Sequence, residues 1–95
     1  LSMHDLDDQV LRVLEETEYK KYVVHKTGHG LGMDVHEDPY IMRGNLEKLE
    51  NGMVITIEPG LYNENNLGIR IEDDVLITEN GCKSLTKFDR DLRII

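Results

Sequence analysis

The sequence predicts a small α+β domain, because one helical segment is followed by several segments with the character of β-strands. Apolar residues recur at helical spacing through residues 5–18. Two later segments, residues 53–58 and 68–78, are rich in β-branched residues and are bounded by turn-forming residues. The length of 95 residues allows one small domain at most.

Between the helix and the first long strand, the chain reads mostly as loop. Residues 22–25 are β-prone, but the three glycines that follow predict a break in regular structure, and Pro39 closes this loop region. Residues 43–49 are polar and predict irregular chain or a short helical turn. We therefore expect a glycine-rich loop to connect the helix to the sheet.

The second half of the chain reads as strands and turns. The strand over residues 53–58 is halted by Pro59 and Gly60, and residues 61–63 are expected to continue it past a kink. Residues 68–78 predict one long strand, followed by a turn at 79–81. Residues 85–86 predict a short strand, and residues 89–93 a short turn or helix.

Each long strand carries one glutamate on the face opposite a wholly apolar face. Strand alternation puts Glu58 on the same face as Val54 and Thr56, and Glu72 on the same face as Arg70. A glutamate buried among β-branched residues is costly unless its charge is compensated. A metal ion would compensate both glutamates at once, whereas Arg70 could compensate one of them.

Composition argues against several classes of function. The net charge of −8, from 11 basic and 19 acidic residues, disfavours nucleic-acid binding. The single cysteine, Cys82, leaves no disulfide framework and no cysteine zinc site in this chain. No apolar run approaches the ~18 residues that a membrane span needs. The default expectation is a cytoplasmic protein.

Histidines in the glycine-rich region are candidates for the chemistry. Glycines flank His29 and leave its imidazole room to reach a metal ion, although a hydrogen-bonded loop histidine is the alternative. His36 suits proton transfer or stabilisation of a transition state, or else it is a surface histidine. His25 is either a structural residue or a substrate contact. With Glu58 and Glu72, these imidazoles are typical of a hard divalent-metal site and indicate metal-assisted hydrolysis.

Three motifs carry a family resemblance over nearly the whole chain: residues 25–39, 52–62 and 68–78. They resemble the carboxy-terminal part of a pita-bread metallopeptidase, the fold of creatinase and of the aminopeptidases. The form Gly-Ile-Arg-Ile-Glu-Asp-Asp at 68–74 is similar to the aminopeptidase P and prolidase branch. The resemblance implies a curved, mainly antiparallel sheet with a flanking helix. Residues 1–95 would be the C-terminal portion of the catalytic domain, with the N-terminal half absent.

The resemblance also implies a role for each matching residue. His29 matches a metal ligand, Glu58 a ligand that also serves as general base, and Glu72 the carboxylate that bridges two metals. His36 matches the histidine that contacts the substrate and stabilises the tetrahedral intermediate. Two further residues complete the substrate-binding set: His25, which matches a pocket-lining histidine, and Arg70, which matches an arginine that supports the site.

The implied activity is hydrolysis of the peptide bond between an N-terminal residue and proline. Two divalent ions would serve it, with Mn²⁺ favoured and Co²⁺ or Zn²⁺ as alternatives. The substrate would be a peptide with proline at its second position, and no nucleic acid or membrane is expected as a partner. Alternatives are a prolidase, a methionine aminopeptidase, a metal-free creatine-type hydrolase or a non-enzymatic peptide-binding module on the same fold.

One part of the family pattern is missing. The family's two aspartate ligands precede the histidine motif, and only Asp5, Asp7 and Asp8 lie upstream here, in the predicted helix rather than in a strand. We do not assign the ligand roles to them. The 95-residue chain alone is therefore expected to be an inactive fragment. It is also expected to self-associate through an uncovered sheet face, as a homo-oligomer.

Overall fold

The computed structural model describes residues 1–23, 26–92 and 94. These residues form one α-helix, one short 3₁₀ turn and seven strands. The helix is α1 (Met3–Glu15) and the 3₁₀ turn is Lys20–Tyr22. The strands are β1 (Gly28–Gly30), β2 (Glu37–Ile41), β3 (Val54–Ile57), β4 (Gly60–Tyr62), β5 (Gly68–Arg70), β6 (Asp73–Thr78) and β7 (Gly81–Ser84).

Helix α1 begins and ends earlier than the sequence pattern predicts, and a capping box determines its first turn. The Ser2 hydroxyl accepts a hydrogen bond from the Asp5 amide at 3.1 Å, and the Ser2 amide donates to the Asp5 carboxylate at 3.1 Å. This reciprocal arrangement satisfies two of the donors that a helix start leaves free. The cap places Met3 in the core with no exposed surface.

The strands form two antiparallel sheets. The larger sheet has the order β2-β1-β3-β6-β7, and β4 pairs with β5 in a separate two-stranded sheet. The core lies between α1 and the larger sheet, around Met3, Ile41 and Ile55. The predicted α+β class, with a helix beside an antiparallel sheet, is confirmed.

The glycine-rich region is a strand rather than the predicted loop. β1 lies between β2 and β3, where neighbouring backbones approach so closely that only glycine fits. A Cβ on Gly28 would collide with the Thr56 carbonyl oxygen, and one on Gly30 with the Asp38 carbonyl. The glycines are therefore required for close strand packing. Residues 37–41, also expected to be loop, form β2.

The predicted long strand over residues 68–78 is interrupted at residues 71–72. Ile57 pairs with Asp73 before the break, and Gly60 pairs with Arg70 after it, so the register is the same on both sides. Pro59 lies in the gap and has no amide hydrogen to donate, which ends the ladder. The same register places Glu58 opposite Glu72 within the gap.

Three smaller expectations also need correction. The β-prone segment at 22–25 contains the end of the 3₁₀ turn, and residues 24 and 25 lie outside the described part. The strand expected at 85–86 lies earlier, as β7, and Thr86 instead donates its hydroxyl to Asp73 at 2.6 Å. Within the described residues of the tail there is no helix, and no described helix has the length and apolar character to cross a membrane.

Candidate functional site

The break between the two sheets opens into a cavity of about 370 Å³. Strands β1, β3 and β6 and the residues at the break contribute its walls. The cavity is lined by His29, Leu31, Val35, His36, Thr56, Glu58, Arg70, Glu72 and Asp74. Five of the six site residues predicted from the sequence therefore meet in one place. The sixth, His25, lies outside the described residues.

The backbone and ring of His29 are both held by hydrogen bonds. Its amide donates to the Thr56 hydroxyl at 3.1 Å, which fixes β1 against β3. Its Nδ1 lies 2.8 Å from the Gly30 carbonyl oxygen. Because a carbonyl only accepts, this contact requires the proton to be on Nδ1. A neutral His29 then presents the lone pair of Nε2 to the cavity, as a metal-ligating histidine does.

That Nε2 faces a carboxylate. Nε2 of His29 lies 3.2 Å from Oε2 of Glu58, and the two side chains are only 6% and 14% exposed. With the proton on Nδ1, two acceptor atoms face each other in a mostly buried place, which is unfavourable unless a proton or a cation lies between them. The pair therefore has the donor chemistry of a divalent-metal site.

Glu72 adds a second carboxylate, although at the exposed rim rather than buried as the sequence suggested. Loss of water around its carboxyl group, followed by the Glu58 and Asp74 charges, raises the pKa of Glu72, while Arg70 opposes the shift. The strand register on either side of the break brings Glu58 and Glu72 to opposite positions. Like charges opposite each other in a sheet repel, so a cation here would relieve the repulsion.

Arg70 and His36 complete the polar wall. Nη1 of Arg70 lies 3.9 Å from Oε1 of Glu58, and the arginine side chain is 50% exposed. This distance gives a weak charge contact that leaves other Arg70 donors facing outward. The His36 ring is exposed and lies 4.4 Å from the His29 ring, centroid to centroid. His36 is therefore accessible to a substrate, whereas His29 is not.

The donor set fits a metal ion in type, but the described residues do not enclose one by themselves. Within residues 1–23, 26–92 and 94, no group of three His, Cys, Asp or Glu side chains is arranged to hold a metal ion. His29 and Glu58 form a close pair, and Glu72 stands beside Glu58.

Sequence reasoning missed residues that support the site without lining it. Asp7 is buried in α1 and accepts hydrogen bonds from both the amide and the hydroxyl of Thr27. The helical pattern offered a signal, because Val10, Leu11 and Leu14 follow Asp7 at positions i+3, i+4 and i+7 and so share its helix face. Asp74 also lines the cavity. Strand alternation already placed Thr56 on the face of Glu58, and its hydroxyl there receives the His29 amide.

Comparisons with known proteins identify the family of the chain. A family model described as "Metallopeptidase family M24" matches residues 1–79. The Xaa-Pro dipeptidase of Pyrococcus furiosus is 47% identical over 92 residues, which is 97% of this chain and 26% of that protein.

Two solved structures extend the comparison. The Xaa-Pro dipeptidase from Bacillus anthracis superposes with a TM-score of 0.96 and 37% identity, covering 100% of this chain and 27% of that one. The X-Pro aminopeptidase from Thermotoga maritima superposes with a TM-score of 0.91 and 40% identity, covering 96% and 26%. The chain thus spans about a quarter of the length of these relatives. The fold predicted from the resemblance is confirmed.

Proposed function

Because the chain belongs to metallopeptidase family M24, we propose that it supplies part of a metal-dependent centre that cleaves the bond between an N-terminal residue and proline. The contact that carries this proposal joins Nε2 of His29 to Oε2 of Glu58 at 3.2 Å. Its two atoms are acceptors when Nδ1 holds the imidazole proton, so a cation is the natural occupant of the space between them.

In this proposal, each residue of the cavity wall has one task. His29, Glu58 and Glu72 hold the metal, and Glu58 also accepts the proton of the attacking water. Exposed His36 donates a hydrogen bond to the oxygen of the tetrahedral intermediate, where negative charge develops. Arg70 offsets the carboxylate charge and contacts the substrate. His25 is proposed as a further substrate contact on the strength of the motif alone.

Divalent ions would supply polarisation of the scissile carbonyl and a water molecule of lowered pKa. Two carboxylates with one imidazole suit Mn²⁺, with Co²⁺ or Zn²⁺ as alternatives. Since this chain presents a pair of donors with a third nearby, we propose that the remaining ligands of a two-metal centre come from another part of the catalytic domain. Residues 1–95 would then be the C-terminal portion of that domain.

Whether the substrate is a dipeptide or a longer peptide is the finer question. The relatives named above include both Xaa-Pro dipeptidases and an X-Pro aminopeptidase. Dipeptidase activity therefore fits as well as aminopeptidase activity. A cytoplasmic location and a homo-oligomeric state stay predictions.

Hydrolysis assays with Mn²⁺ test the proposal. One substrate is an Xaa-Pro dipeptide and the other a longer peptide with the same first two residues. We expect no turnover by the 95-residue chain alone. We expect turnover by the longer polypeptide encoded in the same reading frame, and its loss in the Glu72→Gln variant. The ratio of kcat/KM for the two substrates then distinguishes a dipeptidase from an aminopeptidase.

The other outcomes each overturn a defined part. Turnover by the 95-residue chain that is lost in Glu72→Gln would show that the missing ligands come from this chain or from an associated copy. Peptide binding without hydrolysis by the longer polypeptide, with Mn²⁺, Co²⁺ and Zn²⁺ each tried, would favour the non-enzymatic binding module.

A further inference from the structure

We propose that Asp7 is a positioning residue for the candidate metal centre, acting through Thr27. Asp7 lies on α1 and touches none of the cavity-lining residues in the contacts described above. Its carboxylate instead holds the segment that leads into His29 and receives the end of the strand that carries Glu58. The effect of Asp7 on the metal centre rests on the proposed function. The coupling of Asp7 to the Glu58 amide can be tested without metal.

The first step is the contact between the helix and β1. Oδ1 of Asp7 accepts a hydrogen bond from the Thr27 hydroxyl at 2.6 Å and shares the Thr27 amide, at 3.2 Å, with the Ile41 carbonyl oxygen, at 3.1 Å. Asp7 is 4% exposed and Thr27 is 2% exposed. Bonds between a carboxylate and buried donors are stronger than those between neutral groups, so this contact ties α1 firmly to the start of β1.

The second step runs from Thr27 to the strand that carries Glu58. The Glu58 amide lies at the sheet break, where the ladder with β6 has stopped. Its hydrogen bond goes to the Thr27 carbonyl oxygen at 2.7 Å. Thr27 thus faces Asp7 with its hydroxyl and amide, and Glu58 with its carbonyl. Gly28 follows Thr27 directly, and His29 comes one residue later.

Asp7 differs from its neighbour Asp8 in what holds its carboxylate. Asp8 is also acidic, but it is half-buried and pairs with Arg12 and Arg43, each at 3.0 Å. A buried carboxylate is costly unless donors compensate it, so the position of Asp7 is determined by Thr27. The orientation of the Asp8 side chain is determined by ion pairs with exposed arginines, and such pairs contribute little to stability. Asp8 is therefore a matched control on the same turn of the helix.

Amide hydrogen exchange in the metal-free chain tests this coupling. In Asp7→Ala, we expect the Glu58 amide to exchange about tenfold faster, because Thr27, which accepts its hydrogen bond, loses both contacts with the helix and keeps only the bond from its amide to the Ile41 carbonyl oxygen. The Ile77 amide, which donates to Met53, and the Leu85 amide, which donates to Asp74, serve as internal references. They should keep their wild-type rates, and Asp8→Ala should leave the Glu58 amide unchanged.

Conservative variants separate positioning from bulk stability. Asp7→Asn keeps an acceptor oxygen and Thr27→Ser keeps the hydroxyl, so both should protect the Glu58 amide nearly as well as wild type. Thr27→Val removes the hydroxyl at nearly constant shape and should behave like Asp7→Ala. If Asp7→Ala does not fold, Thr27→Val supplies the same test. An unchanged Glu58 amide in Thr27→Val, or equal acceleration of all three amides, would overturn the inference.

Mn²⁺ titration of the longer polypeptide supplies the functional readout. We expect Asp7→Ala to weaken Mn²⁺ binding about tenfold, as loss of an outer partner of a ligand does, and Asp7→Asn to restore most of it. Failure of the wild-type protein to bind Mn²⁺ would contradict the proposed function. The exchange rate of the Glu58 amide would still decide whether Asp7 is coupled to Glu58. Tight binding by both wild type and Asp7→Ala would contradict the positioning role alone.

Discussion

At the residue scale, the site depends on which atoms of His29 and Glu58 face each other. The Gly30 carbonyl fixes the His29 proton on Nδ1, and the Thr56 hydroxyl fixes its backbone. Glu58 is presented by a strand end next to Pro59. These local constraints orient a nitrogen lone pair and a carboxylate toward the same point, which is what a cation requires.

Removing either side of this pair should weaken metal binding. Loss of a residue that only supports a metal ligand lowers metal affinity by roughly 10–100-fold. We expect His29→Ala and Glu58→Gln each to lower the Mn²⁺ affinity of the longer polypeptide by more than this. Isothermal titration calorimetry measures this directly. Glu79→Gln, an exposed glutamate in the turn after β6, is the control and should bind as wild type. Equal affinities across all three variants would remove His29 and Glu58 from the ligand set.

The glycines of β1 provide a second prediction at this scale. Gly28→Ala places a Cβ against the Thr56 carbonyl, so the free energy of unfolding should fall by about 3 kcal/mol or more. Gly44→Ala is a useful comparison, because its Cβ meets open space and only the positive φ of 94° opposes it. That variant should lose about 1 kcal/mol. Urea denaturation that ranks them in the opposite order would refute the close-packing explanation.

At the element scale, the capping box of α1 and the break at residues 71–72 shape the molecule most. The capping box begins the helix at Met3 and brings Met3 into the core. The break brings two carboxylates into one gap, because Pro59 ends the ladder without changing its register. Each effect follows from one or two residues that decide the course of a whole element.

Loss of the helix cap should be measurable. Ser2→Ala removes the hydroxyl that accepts the Asp5 amide, and we expect the free energy of unfolding to fall by about 1 kcal/mol. Ser2→Asp retains an acceptor and should retain most of the stability. Circular dichroism during urea unfolding gives both values, and a Ser2→Ala midpoint equal to that of wild type would contradict the capping role.

Asp5 should contribute a pH dependence to stability. Hydrogen bonds from the Ser2 backbone and then from its side chain lower the pKa of Asp5 below its ordinary 3.8. A carboxyl group with a lowered pKa in the folded state stabilises the fold above 3.8, and this contribution is lost as the pH falls through the lowered value. Urea midpoints over an acid series should therefore fall less steeply in Asp5→Asn than in wild type. Parallel curves would contradict this assignment.

At the scale of the whole molecule, the core is small for the apolar surface that the chain presents. Among the described residues, only Met3, Ile41 and Ile55 are fully buried hydrophobic side chains. A largely apolar cavity of about 560 Å³ lies on the sheet face away from the candidate site, next to Leu6, Leu49, Ile57, Val75 and Ile77. A chain that spans a quarter of its relatives thus leaves part of its sheet face uncovered.

This uncovered face predicts self-association. Cys82 is exposed on the edge strand β7 and lines the apolar cavity. A charge on such an edge disfavours pairing with another copy, so we expect Cys82→Lys to shift the chain toward monomer in light scattering under reducing conditions. Asn80→Lys, in the preceding turn, controls for added charge. Monodisperse wild-type monomer at high concentration would contradict the prediction.

The sequence by itself determined the α+β class, the family and the placement of Glu58 beside Thr56, because these follow from local periodicity and from short motifs. The tertiary structure decided that glycine-rich residues 28–30 form a central strand, that Glu72 lies at an exposed rim opposite Glu58, and that the Asp7 carboxylate meets Thr27. The reason is physical. Strand neighbours and buried partners come from residues distant in the chain, and a local pattern carries no information about which distant backbone will approach closely enough to require a glycine or a buried carboxylate.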